Sequence, residues 1–115
     1  MNNQKVTQGG VEEVKDNLIT DVVAVVKKID PTAKILLYGS RARKDHTDNS
    51  DWDFFIATSF DKPRDLEDDL LNPLYDVMLK YDELIQVFVH SKSDWEAGAS
   101  PSPIYDNIRN EGIEL

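Results

Sequence analysis

The stretch Tyr38–Phe55, which reads YGSRARKDHTDNSDWDFF, decides how the rest of the chain is interpreted. It begins with the end of an apolar segment, continues through a Gly-Ser pair and a basic run, and closes on the pattern Asp-x-Asp at Asp51 and Asp53. The turn formers HTDNS at 46–50 separate the two halves. The stretch therefore predicts a strand, a tight turn with a short helical segment, and a second strand that starts at the acidic pair.

Working outward, apolar spacing predicts the other elements of the fold. Short runs rich in β-branched and aromatic residues predict strands, and apolar residues three and four apart predict helices. The predicted strands are Lys34–Tyr38, Asp51–Ala57 and Leu84–His90, and the longer predicted helices are Val11–Ile29 and Leu66–Tyr81. A helical or coil segment is predicted over Ser40–Lys44, and a short loop with a final helix is predicted for the tail that contains Trp95. This order predicts an α/β (α+β) fold in which helices back a small mixed β-sheet.

The length of the chain favours a single folded unit. Its 115 residues, 40% of them hydrophobic, are enough for one core but too few for a second domain. Residues 1–10 are polar, end in a Gly-Gly pair and show no periodicity, so we predict a flexible tail there. Residues 11–115 are predicted to form one domain.

The charge balance and the absence of cysteine exclude several classes of protein. Lys and Arg number 13 against 22 Asp and Glu, and the net charge of −9 opposes stable nucleic-acid binding over most of the surface. No apolar run approaches the roughly 18 residues of a membrane span. Without cysteine there is neither a disulfide framework nor a thiolate zinc site. We therefore expect a cytoplasmic protein that does not bind membranes.

Gly39 and Ser40 have properties that suit a phosphate group. Glycine lets the backbone turn tightly and approach a ligand closely. Ser40, at the start of a helical segment, offers a hydroxyl and an amide donor to phosphate oxygens. The pair is therefore a candidate holder of a triphosphate, with the cationic side chains of Arg41 and Arg43 beside it.

Asp51 and Asp53 have the spacing of a metal site. Strand alternation places the two carboxylates on one face, about 6.6 Å apart along the strand, while Trp52 and Phe54 point into the core. Two such acids repel each other unless a cation lies between them, and hard oxygen ligands favour Mg²⁺ or Mn²⁺ over zinc. A metal that bridges carboxylates and triphosphate oxygens implies phosphoryl or nucleotidyl transfer.

Each part of the pattern also has an ordinary structural interpretation. A Gly-Ser turn after a strand is common, and Asp51 and Asp53 alone are typical of turn caps or a solvated strand face. The basic run alone is typical of a solvated turn. His46 and His90 have no partner at metal-ligand spacing and are assigned no role, and Trp95 is expected to pack or to serve as a lid or partner contact. Only the combination points to a site.

That combination resembles the signature of the minimal nucleotidyltransferases of the DNA polymerase beta-like superfamily. The signature is Gly-Ser, about ten residues, then Asp-x-Asp, and here it reads Gly39–Arg43 followed by Ser50–Asp53. The resemblance implies a small mixed sheet backed by helices. It also implies that Gly39 and Ser40 bind the triphosphate of an NTP and that Asp51 and Asp53 ligate magnesium.

The chain departs from this family at the third carboxylate, which commonly faces the Asp pair from a neighbouring strand, ligates metal and helps deprotonate the acceptor hydroxyl. Parity predicts that the apolar residues of the third strand face the helices and that Gln86 faces the cleft. A neutral amide is a weak magnesium ligand and a poor base. Three outcomes stay open: Glu83 or Asp82 substitutes, catalysis is weakened, or the chain only binds nucleotide.

Two functions of different classes follow. The first is a magnesium-dependent transferase that moves a nucleoside monophosphate, expected to be AMP from ATP, to an acceptor hydroxyl and releases pyrophosphate. In it Asp51 and Asp53 are the catalytic metal ligands, and Arg41 or Arg43 neutralises charge on the leaving group. The second is a nucleotide-binding or partner-binding module without turnover, antitoxin-like, which occludes a toxin-like partner. The resemblance implies pairing with a helical HEPN-type protein in either case, and a purely structural domain is the third alternative.

Overall fold

Helices cover both faces of a four-stranded sheet in the computed structural model of the chain. The structure describes residues 2–98 and 102–115, with side chains from residue 16 onward. The helices are α1 (Asn2–Ile29), α2 (Ser40–Arg43), α3 (Pro63–Tyr81), α4 (Lys92–Ala97) and α5 (Pro103–Glu111), and the strands are β1 (Lys34–Tyr38), β2 (Trp52–Thr58), β3 (Ile85–Ser91) and β4 (Ile113–Glu114).

The sheet is mixed and has the strand order β3-β2-β1-β4. Strand β1 runs antiparallel to both of its neighbours, β2 and β4. Strands β2 and β3 run parallel, because the connection between them is the crossover helix α3. The predicted α+β fold, a small mixed sheet backed by helices, is therefore confirmed.

Alternation along β2 divides the core into two layers. On one face, helices α1 and α3 pack on the sheet; their contact residues include Leu18, Val22, Leu66, Leu70, Trp52, Phe54 and Ile56. On the other face, helices α4 and α5 contribute Trp95, Tyr105 and Ile108, which pack on Leu36, Phe55 and Ala57. Of the seven residues of β2, all are buried except Asp53, which is partly exposed. The central strand thus presents one acidic side chain to solvent.

Asp30 anchors the turn between α1 and β1 at the other end of the sheet. It is 2% exposed and accepts hydrogen bonds from Thr58 Oγ1 at 2.6 Å and from the Ser59 amide at 3.0 Å. Burial disfavours its ionised form, but the hydrogen bonds from Thr58, Ser59 and Thr32 outweigh burial and lower the pKa of Asp30. The buried charge is fully satisfied and ties the first helix to the end of β2.

The element boundaries differ from the sequence prediction mainly at the two ends of the chain. Helix α1 begins at Asn2, where the spacing predicts a start near Val11, because a Gly-Gly pair weakens a helix without ending it. After residue 91 the prediction was one loop and one helix, whereas the structure has α4, α5 and the short strand β4. In the part of the chain that the structure describes, no helix is long and apolar enough to cross a membrane.

Candidate active site

A row of three polar side chains crosses the sheet at the end where β2 begins. The strand register pairs Tyr38 of β1 with Asp53 of β2, and Asp53 with Gln86 of β3. Directly paired residues share a face of the sheet. The row therefore lies on the face that α4 and α5 cover further along, opposite the face of Trp52.

Asp51 joins this row from the residue just before β2. Gln86 Nε2 donates a hydrogen bond to Asp51 Oδ2 over 2.9 Å. Burial raises the pKa of Asp53, the negative charge of Asp51 raises it further, and Arg43 acts in the opposite direction. The structure thus brings Asp51, Asp53 and Gln86 together, as strand alternation predicts, and leaves the two acids in mutual repulsion.

The Gly-Ser turn lies directly against Asp53. Gly39 has φ 76° and ψ −159°, a conformation that is essentially restricted to glycine. A Cβ atom at this position would lie 2.6 Å from Asp53 Oδ2. Ser40 follows as the first residue of α2, whose first backbone hydrogen bonds run from Ala42 and Arg43 to the Gly39 carbonyl. The turn and the acidic pair therefore form one surface.

Arg43 lies at the rim of this surface between two carboxylates. Its Nε donates to Asp45 Oδ2 at 3.0 Å, and its Nη1 donates to Glu111 Oε1 at 3.1 Å. Glu111, the last residue of α5, also accepts a hydrogen bond of 3.0 Å from the Gly39 amide. A guanidinium group that could balance a phosphate charge is thus next to the turn, already paired with acids.

Arg41 has contacts that differ from those expected of a phosphate ligand. It is 7% exposed, its guanidinium carbon lies 4.4 Å from the centre of the Trp52 ring, and Nη2 donates to the Ser50 carbonyl at 3.0 Å. Trp52 belongs to the α1 and α3 face, so Arg41 packs on the side of the sheet opposite Asp53. Arg41 therefore stabilises the backbone that leads into Asp51. This position does not agree with the nucleotide-binding role predicted for it.

Of the two alternative third carboxylates, Glu83 has a cationic partner away from the acidic pair. Glu83 Oε2 pairs with Arg41 Nη2 at 3.6 Å. Asp82 ends α3 in the left-handed conformation, with φ 54° and ψ 46°. Among the residues that the structure describes, no group of three acidic, His or Cys side chains is placed to hold a metal ion. The position that faces the acidic pair from β3 is therefore filled by the neutral Gln86.

One comparison with known proteins bears on this geometry. A family model described as polymerase beta, nucleotidyltransferase matches residues 20–113, from α1 through β4. The chain belongs to this family. No curated protein shows significant similarity to it. The match includes the Gly-Ser turn, the acidic pair and the end of α5 within a single nucleotidyltransferase domain.

Two residues of this polymerase beta family domain carry no local sequence signal for a place in the site. Glu111 contacts Gly39 across 72 positions of the chain, and the strand β4 that follows it has only two residues, too few to show alternation. Tyr38 ends an apolar run and looks like a core residue. It is nevertheless paired with Asp53 in the strand register, and burial, followed by the charges of Asp53 and Glu111, raises the pKa of Tyr38.

The donor set of the nucleotidyltransferase domain fits a divalent cation that prefers oxygen. The carboxylates of Asp51 and Asp53 are hard ligands. Burial, and then the charge of Asp51, raise the pKa of Asp53, so a cation beside the pair would be favourable. The amide of Gln86 already bonds to Asp51. Asp51 and Asp53 are therefore the candidate ligands for Mg²⁺ or Mn²⁺.

Proposed function

We propose that the chain is a magnesium- or manganese-dependent nucleotidyltransferase that moves AMP from ATP to an acceptor hydroxyl and releases pyrophosphate. The observation that carries the proposal is the contact between the Gly-Ser turn and the acidic pair: a Cβ at Gly39 would lie 2.6 Å from Asp53 Oδ2. Family membership supports nucleotidyl transfer in general. The proposed location is the cytoplasm, where ATP and Mg²⁺ are both available.

The proposed reaction exchanges one phosphoester linkage for another. The acceptor oxygen bonds to the α-phosphorus while the bond from that phosphorus to pyrophosphate breaks, and the acceptor proton passes to solvent or a carboxylate. A divalent cation held by Asp51 and Asp53 would supply charge neutralisation at the phosphate oxygens. Gly39 and Ser40 hold the triphosphate, and Arg43 balances charge on the leaving pyrophosphate. Arg41 is assigned to the fold instead, because it is buried against Trp52.

Gln86 sets an expectation for the rate of this reaction. An amide cannot accept the acceptor proton as a carboxylate can, and general acid–base assistance typically contributes 10²–10⁴-fold to a rate. The transfer is therefore slow in the proposed enzyme unless the acceptor hydroxyl is itself acidic or a protein partner of the enzyme supplies a base.

A second candidate function is an antitoxin-like module that binds nucleotide and a protein partner, such as a HEPN-type protein, without turnover. Two observations favour it. The first is the amide at position 86 opposite Asp51. The second is an apolar stripe on the outer face of α3, where Leu71, Tyr75 and Leu79 are each more than half exposed at a spacing of four residues.

Nucleotide binding and pyrophosphate release separate these functions. Thermal unfolding of the full chain is measured with ATP alone, Mg²⁺ alone and both, and pyrophosphate is then assayed with hydroxyl acceptors, including a tyrosine-containing and a serine-containing protein. Stabilisation that requires both ligands, followed by pyrophosphate release that Asp51→Asn and Asp53→Asn abolish, supports the transferase. Stabilisation without release supports the module. No response to either ligand refutes both.

The matched control is Asp48→Asn, which removes the same charge from an exposed position in the turn before Asp51. This variant is expected to bind and release like the unmodified chain. An equal loss in Asp48→Asn would show that general charge, not the acidic pair, is responsible.

A further inference from the structure

Glu111 contacts two groups that the proposed function assigns to the polyphosphate. Its Oε1 accepts from the Gly39 amide at 3.0 Å, and both of its carboxylate oxygens accept from Arg43 Nη1, at 3.1 and 3.2 Å. The Glu111 side chain is 22% exposed, against 45% for Arg43. The acid is therefore the more buried partner of this pair. This is expected of a group that holds both the Gly39 amide and the Arg43 guanidinium in place.

The Gly39 amide needs such an acceptor. The amide of Gly39, the residue just after β1, donates to the end of α5, where Glu111 Oε1 accepts it over 3.0 Å. This hydrogen bond is part-buried, and an N–H that is shielded from water is stabilised by an acceptor in the protein. The Glu111 carboxylate satisfies this amide and so stabilises the turn in the conformation that brings it against Asp53.

The end of α5 is fixed to the sheet, and this fixes the backbone position of Glu111. Strand β4 pairs with β1 two residues after the helix, at Leu36–Glu114 and Leu37–Ile113. Gly112 donates a 2.8 Å hydrogen bond to the Ile108 carbonyl, and a Cβ at Gly112 would lie 3.0 Å from Leu36 Cδ2 and clash with that carbonyl. The close approach places Glu111 beside Gly39 independently of any ligand.

We propose that Glu111 is a positioning residue that holds the Gly39 turn and the Arg43 guanidinium in place for the β- and γ-phosphates of the nucleotide. This inference rests on the proposed function and deepens it. Helix α5 thereby becomes part of the nucleotide site, because one carboxylate contacts both the Gly39 turn and the Arg43 guanidinium. Glu111 does not touch the reacting atoms; it acts through Gly39 and Arg43.

The test compares Glu111→Gln with Glu114→Gln in the full chain. Glu114 is a matched control, since it lies three residues further on, its side chain is 64% exposed and its ion pair with Lys34 is 3.9 Å long. Affinities for ATP and AMP are measured by calorimetry with Mg²⁺. Glu111→Gln is expected to weaken ATP binding roughly tenfold, as for the loss of a charge-assisted contact, and to change AMP binding less than about twofold. Glu114→Gln is expected to change neither.

A double-mutant cycle with Arg43→Gln tests whether Glu111 acts through Arg43. Because the two groups form one unit, the double variant is expected to bind ATP about as weakly as either single variant. Tighter ATP binding by Glu111→Gln would overturn the proposal and make the carboxylate a competitor of phosphate. Equal weakening of ATP and AMP, or none, would also overturn it.

A readout that needs no nucleotide keeps this inference separate from the proposed function. In the amide spectrum of the nucleotide-free protein, the Gly39 signal is expected to shift and exchange faster with solvent in Glu111→Ala, but not in Glu114→Gln. If the unmodified chain binds no ATP with Mg²⁺, the proposed function fails and the nucleotide role of Glu111 fails with it. If ATP binds and the Gly39 signal is unchanged in Glu111→Ala, only the positioning role fails.

Discussion

Gln86 Nε2 lies 2.9 Å from Asp51 Oδ2, so an amide on β3 satisfies one acid of the pair where a third carboxylate would give repulsion without metal. The same contact limits the site to two candidate carboxylate ligands. It also makes position 86 the place where the transferase and the binding module are best distinguished.

Gln86→Glu is expected to strengthen metal binding and to speed transfer. The new carboxylate would be a third anionic oxygen ligand and a base within reach of an acceptor hydroxyl. We expect at least about tenfold more pyrophosphate release at saturating Mg²⁺ and ATP. Gln86→Leu, which removes the amide without adding charge, serves as the control. Identical rates in the two variants would contradict a role for the charge at this position.

Asp53→Asn is expected to stabilise the metal-free protein at neutral pH. Because the pKa of Asp53 is raised above its ordinary value of 3.8, the folded state binds this proton more tightly than the unfolded state. Ionised Asp53 therefore destabilises the fold, and this penalty disappears as the pH falls through the raised pKa toward 3.8. We expect the unfolding midpoint at pH 7 to rise by roughly 1–3 °C.

The same variant is expected to lose the stabilisation by Mg²⁺ that the proposed function predicts for the unmodified chain. Unfolding curves at pH 4–8, with and without Mg²⁺, measure both effects, and Asp48→Asn provides the comparison for loss of one negative charge. A lower midpoint for metal-free Asp53→Asn than for Asp48→Asn at pH 7 would contradict the penalty that burial and the Asp51 charge are expected to place on ionised Asp53.

Asp30 has the opposite pH dependence. Its pKa is lowered by hydrogen bonds in the folded state, so its contribution to stability is present above the unfolded value and is lost as the pH falls through the folded pKa. Asp30→Ala leaves the donors of Thr58 and Ser59 without an acceptor and is expected to cost about 2–4 kcal/mol in urea unfolding. A cost under about 0.5 kcal/mol would show that these donors find other partners.

Gly39→Ala is expected to damage both the fold and the site. The new Cβ would meet Asp53 Oδ2 at 2.6 Å, at a backbone conformation that alanine rarely adopts. We expect a loss of about 1–3 kcal/mol of stability and of Mg²⁺-dependent ATP binding. Gly98→Ala is the control, since Gly98 also has a positive φ of 67° but no atom lies within 4 Å of its Cβ position. A smaller loss of stability at Gly39 than at Gly98 would argue against the contact with Asp53.

Arg41→Ala is expected to lower stability and leave the ratio of ATP to AMP affinity unchanged. The variant removes the stacking on Trp52, the hydrogen bond to the Ser50 carbonyl and the ion pair with Glu83. Arg43→Ala is expected to lower the affinity for ATP relative to AMP and to leave stability nearly unchanged. Urea unfolding and ATP and AMP titrations of both variants measure the two effects, and a selective loss of ATP affinity in Arg41→Ala would restore its predicted phosphate role.

Local patterns in the sequence are enough to predict β1, β2, β3, α3 and the convergence of Asp51 with Asp53, but not the two-residue strand β4. Period-two alternation fixes the face of each residue, so the position of Gln86 followed from parity alone. The faces of Arg41 and Arg43 did not follow, because α2 is a single turn whose rotation on the sheet depends on Trp52 and α5. Glu111 is distant in sequence, and only the pairing of β4 with β1 brings it to Gly39.

Crystals grown with Mn²⁺ and a non-hydrolysable ATP analogue give the most direct measurement of whether one surface holds both metal and polyphosphate. The expected result is an anomalous peak at bonding distance from carboxylate oxygens of Asp51 and Asp53, with the triphosphate against Gly39 and Ser40. A peak elsewhere, or a nucleotide bound away from the Gly-Ser turn, would contradict the proposed site.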